Sequence, residues 1–372
     1  MQQVSKKFLI HLVAAARPNF MKIAPLYHAL VRESWCTPEV VHTGQHYDHN
    51  MSEAFFHDLS MPTPKISLGV GSGSHAEQTG GVMIAYEKIC LQQRPDAVVV
   101  VGDVNSTAAC ALVAAKLWIP VVHLEAGLRS RDRRMPEEIN RLVTDAIADL
   151  LWTPSPDADE NLRNEGVAST RIERVGNIMI DSYELVRDRI ASDQTRAKMN
   201  LTVHAYGIVT LHRPSNVDDP DTLKFLVNQI VEVSKTLPLI FAIHPRTEKR
   251  LREFGLLELL VKAAGIKTTE PLGYIQFMNL VSGARVAITD SGGIQEETTY
   301  LGIPCLTLRE NTERPITVSE GSNRLVKPES LQATAAEAIA GRWQVSRRPE
   351  YWDGHTADRC ADSLHRLLAR AG

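Results

Sequence analysis

Short, unbroken apolar runs alternate with longer stretches of helical spacing along this chain. Phe8 to Ala16 is the first run, and Ala24 to Arg32 after it has the period of a helix. Val40-Val41-His42 is a short second run. Gln78 to Leu91 reads as a helix, and Ala97-Val98-Val99-Val100-Val101 as a β-branched strand ending in Gly102-Asp103. A helix at Ser106–Leu117, a strand at Ile119–Leu124, a helix at Pro136–Asp149 and a strand at Leu150–Thr153 follow. Strands that are apolar at every position bury both faces, and strands alternating with helices form parallel sheets covered on both sides. The pattern restarts at Tyr206–Leu211, Leu239–Ile243, Val286–Thr289 and Pro304–Leu308, each with a helix nearby.

Between the two series lies a polar stretch, Asp188 to Asn200. The expected fold is therefore α/β: two Rossmann-like doubly wound domains with a cleft between them. Residues 1–185 with a returning C-terminal helix at 356–372 form the N-terminal domain, and residues 186–355 the C-terminal one. Such sheets take ligands at the carboxyl ends of their strands, so the polar residues at strand ends are the candidates for chemistry.

Composition narrows the partners. Of 372 residues, 44% are hydrophobic and 23% charged, enough for two ordinary cores. A net charge of −3 gives no field for nucleic acid, and no apolar run approaches the ~20 residues of a membrane span. The N-terminal run is broken at His11 and ends in Arg17-Pro18, unlike a signal peptide. The five cysteines are scattered without metal or redox spacing, and Cys110 and Cys305 sit in the apolar patterns of buried thiols. His42, His46, His49 and His57 form no metal-ligand pattern. The expectation is a cytoplasmic protein with neither a nucleic-acid nor a membrane partner.

The strongest local signal is Thr289-Asp290-Ser291-Gly292-Gly293-Ile294-Gln295-Glu296-Glu297, lying between two strands. A strand, a glycine turn and a helix start aim backbone N–H groups and a helix dipole at one point, which suits a phosphate. Glu296 and Glu297 are expected in the first helical turn, one supporting the dipole and one reaching a sugar hydroxyl. Arg17 and Lys22 follow the first strand, where a cation can meet a phosphate or simply be solvated. Asp103 ends a strand; Asn105 or Ser106 can cap the helix that follows, leaving Asp103 for other work. Glu125, at the end of an apolar strand, is costly to bury unless paired. Glu137 and Glu138 after Pro136 fit either chemistry or an ordinary helix start. His212-Arg213 and His244-Pro245-Arg246 end two strands of the second series. Taken together, the first half supplies acids, and the second supplies cations and a phosphate turn.

In this order and spacing, Ala16-Arg17-Pro18 through Lys22, Thr43-Gly44-Gln45-His46, Val101-Gly102-Asp103, Glu125-Ala126-Gly127-Leu128-Arg129, Pro136-Glu137-Glu138-Ile139-Asn140-Arg141, His212-Arg213, Asp290 to Glu297 and Thr312-Glu313-Arg314-Pro315 resemble the non-hydrolysing UDP-N-acetylglucosamine 2-epimerases over nearly the whole chain. The resemblance implies a glycosyltransferase-B-like fold, a homodimer and no cofactor. It implies reversible inversion at C2 of a UDP-sugar, by elimination of UDP to a glycal and re-addition with protonation on the other face. By position, Asp103, Glu125, Glu137 and His212 match the acid/base group. Arg17 and the Ser291-Gly292-Gly293 turn match the diphosphate clamp, with Lys22 and Arg314 nearby; His244 joins the substrate-binding set. Phe277 matches a residue that packs on uracil, and Glu297 one that holds ribose.

Three departures from the family pattern stand out. Asn19 replaces an acid common after Arg-Pro. Gln45 matches one position of a regulatory UDP-sugar site found in some members, with His46 beside it, but Asp48 replaces the second glutamine and Gly71 to Gln78 lacks an arginine. The Gln45-His46-Tyr47-Asp48 and Gly71-Ser72-Gly73-Ser74-His75 stretches also resemble relatives acting on diacetamido uronic sugar nucleotides, which leaves the sugar's C3 and C6 substituents open. A hydrolysing 2-epimerase that releases ManNAc and UDP is the further alternative.

Overall fold

The computed structural model describes residues 7–44, 59–343 and 347–371. The chain divides into two compact units, Met1–Leu185 with Glu350–Gly372, and Val186–Pro349. Each is a Rossmann-like doubly wound unit, the glycosyltransferase-B-like class expected.

The first unit carries β1 (Phe8–Ala14), β2 (Cys36–His42), β3 (Ile66–Ser67), β4 (Ala97–Val101), β5 (Val121–Leu124), β6 (Leu150–Thr153) and β7 (Ile172–Arg174). Their order is β3-β2-β1-β4-β5-β6-β7, and every pairing is parallel. The chain winds outward from β1 to β3, then returns to place β4 on the other side of β1. That reversal opens a crevice at the carboxyl ends of β1 and β4. The central strands are buried on both faces: Val98 to Val100 have no exposed surface. The edge strands β3 and β7 have no apolar run of their own and are held by register, Ile66 opposite Val41 and Ile172 opposite Leu151.

The helix after β1 spans Arg17–Val31 and begins earlier than its apolar period suggests. Pro18 presets its first turn, and Asn19 Oδ1 accepts from the Ala16 N–H at 3.1 Å. The C-terminal helix Thr356–Ala371 belongs to this unit. Asp181 caps it, accepting from the Ala357 N–H at 2.7 Å, and Ser363 takes the indole N–H of buried Trp152 at 2.8 Å.

The second unit carries β8 (Gly207–Thr210), β9 (Leu239–Ala242), β10 (Ile266–Thr269), β11 (Val286–Thr289), β12 (Cys305–Thr307) and β13 (Asn323–Leu325). The order is β10-β9-β8-β11-β12-β13, again with every pairing parallel. Its reversal lies between β8 and β11, where Thr210 pairs with Thr289. Val209, Phe241, Val286, Ile288 and Leu306 pack against Leu223, Leu226, Val227 and Ile230 of the helix Pro220–Ser234. All five cysteines are buried free thiols, and no helix among the described residues is long and apolar enough to cross a membrane.

Candidate functional site

Each unit gathers polar side chains at its strand reversal. In the first, the Lys22 Nζ pairs with Glu125 Oε2. Lys22 lies on the helix after β1 and Glu125 directly follows β5. Gly102, which follows β4 with φ +67, sits between them: a Cβ there would lie 3.6 Å from Lys22 Nζ and from Asn19 Nδ2, and 3.7 Å from Glu125 Oε2. Asn19 Nδ2 donates to the Val101 carbonyl at 3.2 Å, a bond that a carboxylate in its place could not make. Glu125 itself adopts φ +69, an uncommon conformation for a side-chain-bearing residue that costs of order 1–3 kcal/mol and clusters at working sites. Its Oε1 is buried without a hydrogen-bond partner among the described residues.

Asp103 lies beside this group. Its Oδ2 accepts from Arg141 Nη1 at 2.5 Å. Arg141 is buried and also donates from Nη2 to Glu138 Oε2 at 2.7 Å. Glu138 in turn accepts from the Ser130 N–H at 2.9 Å, the Ser130 hydroxyl at 3.0 Å and the Arg131 N–H at 2.9 Å. Burial pushes the Glu138 carboxyl up, but those amides and Arg141 outweigh it and hold it below the usual range. Asn140 Nδ2 donates to the Asp103 carbonyl at 2.9 Å. The helix after Asp103 is capped at Val104, with no side-chain cap bond, and Asn105 is its first residue. Neither Asn105 nor Ser106 therefore caps it, which corrects that part of the sequence reading. Of the acid pair at the helix Pro136–Ile147, Glu138 is the buried member and Glu137 is exposed.

A support layer built on His123 and Asp145, neither of them a candidate from the sequence, lies behind the loop at Glu125. His123 Nδ1 meets Asp145 at 2.6 Å and its Nε2 meets the Gly102 carbonyl at 2.9 Å. Asp145 also accepts from the Gly127 N–H at 3.0 Å and pairs with Arg129 at 2.7 Å. Gly127 is required there, since a Cβ would lie 2.4 Å from the Ala158 carbonyl oxygen and φ is +79. The sequence signals for this layer are a polar His123 within an apolar strand and the Gly127-Leu128-Arg129 that follows Glu125.

In the second unit, β11 leads through Asp290-Ser291 into the helix Gly292–Leu301, the glycine turn expected from the sequence. Arg314 lies over its start: a Cβ on Gly292 would come 2.9 Å from Arg314 Nη1. Gly293 has no neighbour within 4 Å of such a Cβ and no positive φ. Glu296 and Glu297 do not lie in the first turn, which holds no acid; they sit one turn further and are buried, because the helix begins at Gly292 and continues into the core. Glu296 pairs with Arg314 Nε at 2.7 Å. Burial drives the Glu297 carboxyl up to about 8, with Glu296 adding and Tyr274 opposing. Phe277, on the helix Tyr274–Ser282, is half-buried.

His212 follows β8 and its Nδ1 lies 2.9 Å from Asp290 Oδ1. The His244 ring lies 5.5 Å from that of His212 and caps the helix Pro245–Glu253, Nδ1 accepting from the Arg246 N–H at 3.2 Å. Arg309, not singled out in the sequence, forms a two-pronged pair with Glu313 at 2.9 Å on each prong. Although burial opposes it, Arg309 and Arg314 bring Glu313 down to about 2. Arg17 opens its helix, and only its backbone is described; Gln45 and His46 lie outside the described residues.

The family model for UDP-N-acetylglucosamine 2-epimerase matches residues 28–365. The chain is 46% identical, over 94% of its length and 97% of the relative's, to a UDP-N-acetylglucosamine 2-epimerase of Methanocaldococcus jannaschii. It is 36% identical, over 95% and 99%, to the UDP-2,3-diacetamido-2,3-dideoxy-D-glucuronate 2-epimerase of Pseudomonas aeruginosa. The crystal structure of Methanocaldococcus jannaschii UDP-GlcNAc 2-epimerase in complex with UDP-GlcNAc and UDP matches with a TM-score of 0.86 at 41% identity, covering 96% of this chain and 99% of that one.

Proposed function

Because the chain belongs to the UDP-N-acetylglucosamine 2-epimerase family, we propose that it interconverts UDP-N-acetylglucosamine and UDP-N-acetylmannosamine. The C2 proton is removed, the C1–O bond breaks, and UDP leaves with its electron pair, giving a glycal. UDP then re-forms the bond at C1 while a proton arrives at C2 from the opposite face. The proposal needs a base, an acid and a hold on the departing diphosphate.

The observation that carries this reading is the different chemistry of the two strand reversals. The first offers acids with cation partners: Asp103 on buried Arg141 and Glu125 on half-buried Lys22. The second offers a helix N-terminus with an arginine over it. In this reading Asp103, Glu125, Glu137 and His212 handle protons. Ser291, Gly292, Gly293, Arg314 and Arg17 hold the diphosphate, His244 sits at the nucleotide side, Phe277 packs on uracil and Glu297 meets ribose. Lys22 acts through Glu125. The working enzyme is a homodimer.

NMR of UDP-N-acetylglucosamine with the enzyme in D₂O tests the reaction. Deuterium at C2 of both nucleotide sugars is expected. Free N-acetylmannosamine accumulating with UDP would replace this reading with hydrolysis, and no exchange at C2 would overturn it. The likeness to the diacetamido-glucuronate enzyme favours a second substrate reading, so the C3-acetamido and C6-carboxylate analogues belong in the same experiment.

A further inference from the structure

Asp290 leaves β11 with its side chain fully buried. A buried carboxylate is costly unless its lone pairs are filled, and here they are. Oδ2 accepts from the backbone N–H groups of His212 at 3.0 Å and Arg213 at 2.9 Å, and from Asn216 Nδ2 at 3.0 Å. Oδ1 accepts from the His212 N–H at 3.1 Å and faces His212 Nδ1 at 2.9 Å. Asn216 is itself fixed by donating to the Leu308 carbonyl at 3.0 Å. Burial pushes the Asp290 carboxyl up, but His212, Asn216 and the Arg213 amide hold it below the usual range. An ionised carboxylate only accepts, so the hydrogen between the two side chains belongs to Nδ1. The neutral ring then keeps its lone pair at Nε2.

The neighbouring ring is disfavoured as a proton acceptor. Burial and the His212 ring both lower the His244 pKa, against an opposing pull from Asp290. His244 Nδ1 is occupied as an acceptor of the Arg246 amide.

We propose that Asp290 is a positioning residue for His212: it fixes the Nδ1–H tautomer and stabilises the imidazolium formed when Nε2 takes up a proton. The inference rests on the reading of this chain as a 2-epimerase. During turnover one N–H bond forms at Nε2 and breaks again, the Nδ1–H bond persists, and Asp290 stays ionised. The pair spans the reversal of its sheet, since His212 follows β8 and Asp290 follows β11. A change in how these two strands end would therefore misplace the base as well as its partner.

Nitrogen-15 NMR of the wild-type protein, with the His212 signal assigned through His212→Gln, reads the tautomer directly. The Nδ1–H form is expected, and the Nε2–H form would overturn the proposal. In Asp290→Asn the tautomer should change and kcat should fall roughly 10³-fold, with KM moved only a few-fold. Full kcat in that variant would also overturn it. Asn216→Ala, which loosens Asp290 without touching the imidazole, should lower kcat by about tenfold, and it serves if Asp290→Asn does not fold. An inactive wild type with the Nδ1–H tautomer would remove the epimerase reading while leaving the pair intact. An active one with the Nε2–H tautomer would do the reverse.

Discussion

Lys22, half-buried, and Glu125, buried, form an ion pair between residues 103 positions apart. One follows β1 and the other follows β5, and β4 between them brings the two together at Gly102. Removing one member of such a pair strands the other charge in the interior. Lys22→Met should therefore cost about 3–5 kcal/mol in urea unfolding, whereas Lys22→Met with Glu125→Gln should recover much of that loss. The double variant should remain inactive if Glu125 moves protons. Equal stabilities for the single and double variants would show that the pair carries no such cost.

Arg141 bridges Asp103 and Glu138. Lysine keeps the charge but lacks the planar fork that reaches both acids. Arg141→Lys is expected to lower kcat roughly 10- to 100-fold with little change in UDP affinity, since the defect lies in the placement of Asp103. Wild-type kcat in this variant would separate Asp103 from the chemistry.

Gly293 is not required by the fold: a Cβ there meets nothing within 4 Å. Gly293→Ala should leave stability unchanged or raise it by up to about 1 kcal/mol, as alanine is the better helix former. If a phosphate approaches this helix start, the same methyl should weaken UDP binding by at least tenfold in calorimetry. Undiminished UDP affinity would move the diphosphate elsewhere.

Glu297, raised to about 8 from 4.5, makes a pH prediction. Its carboxyl holds a proton more tightly in the folded than in the unfolded state. The associated stability is full below about pH 4.5 and is lost as pH rises through 8. Wild type should lose up to about 4 kcal/mol relative to Glu297→Gln between pH 4.5 and 8. Urea unfolding of both proteins across that range checks it; parallel pH curves would contradict it.

The alternation of apolar runs and helical spacing determined much by itself. Strands buried on both faces, such as Val98 to Val100, show their structure in composition alone. So do the parallel α/β class and the polar residues at strand ends. The strands β3, β7, β10 and β13 were not legible, because at a sheet edge the ladder bonds come from the neighbouring strand and Lys267-Thr268-Thr269 or Asn323-Arg324-Leu325 carries no periodic signal. The start of the first helix was missed for a related reason: Pro18 and Asn19 set it by backbone geometry and capping, outside the apolar period.

For the site, the sequence named the strand-end residues, while tertiary structure alone decided their pairings. Spacing could not show that Glu138 is the buried acid and Glu137 the exposed one. Nor could it show that Glu296 and Glu297 lie a turn inside their helix, or that Asp290 serves His212 from 78 positions away. Periodicity is set by neighbours three or four residues apart, so it is written in the chain. The partner of a buried charge is set by which strands lie side by side, and only the closed sheet brings those together.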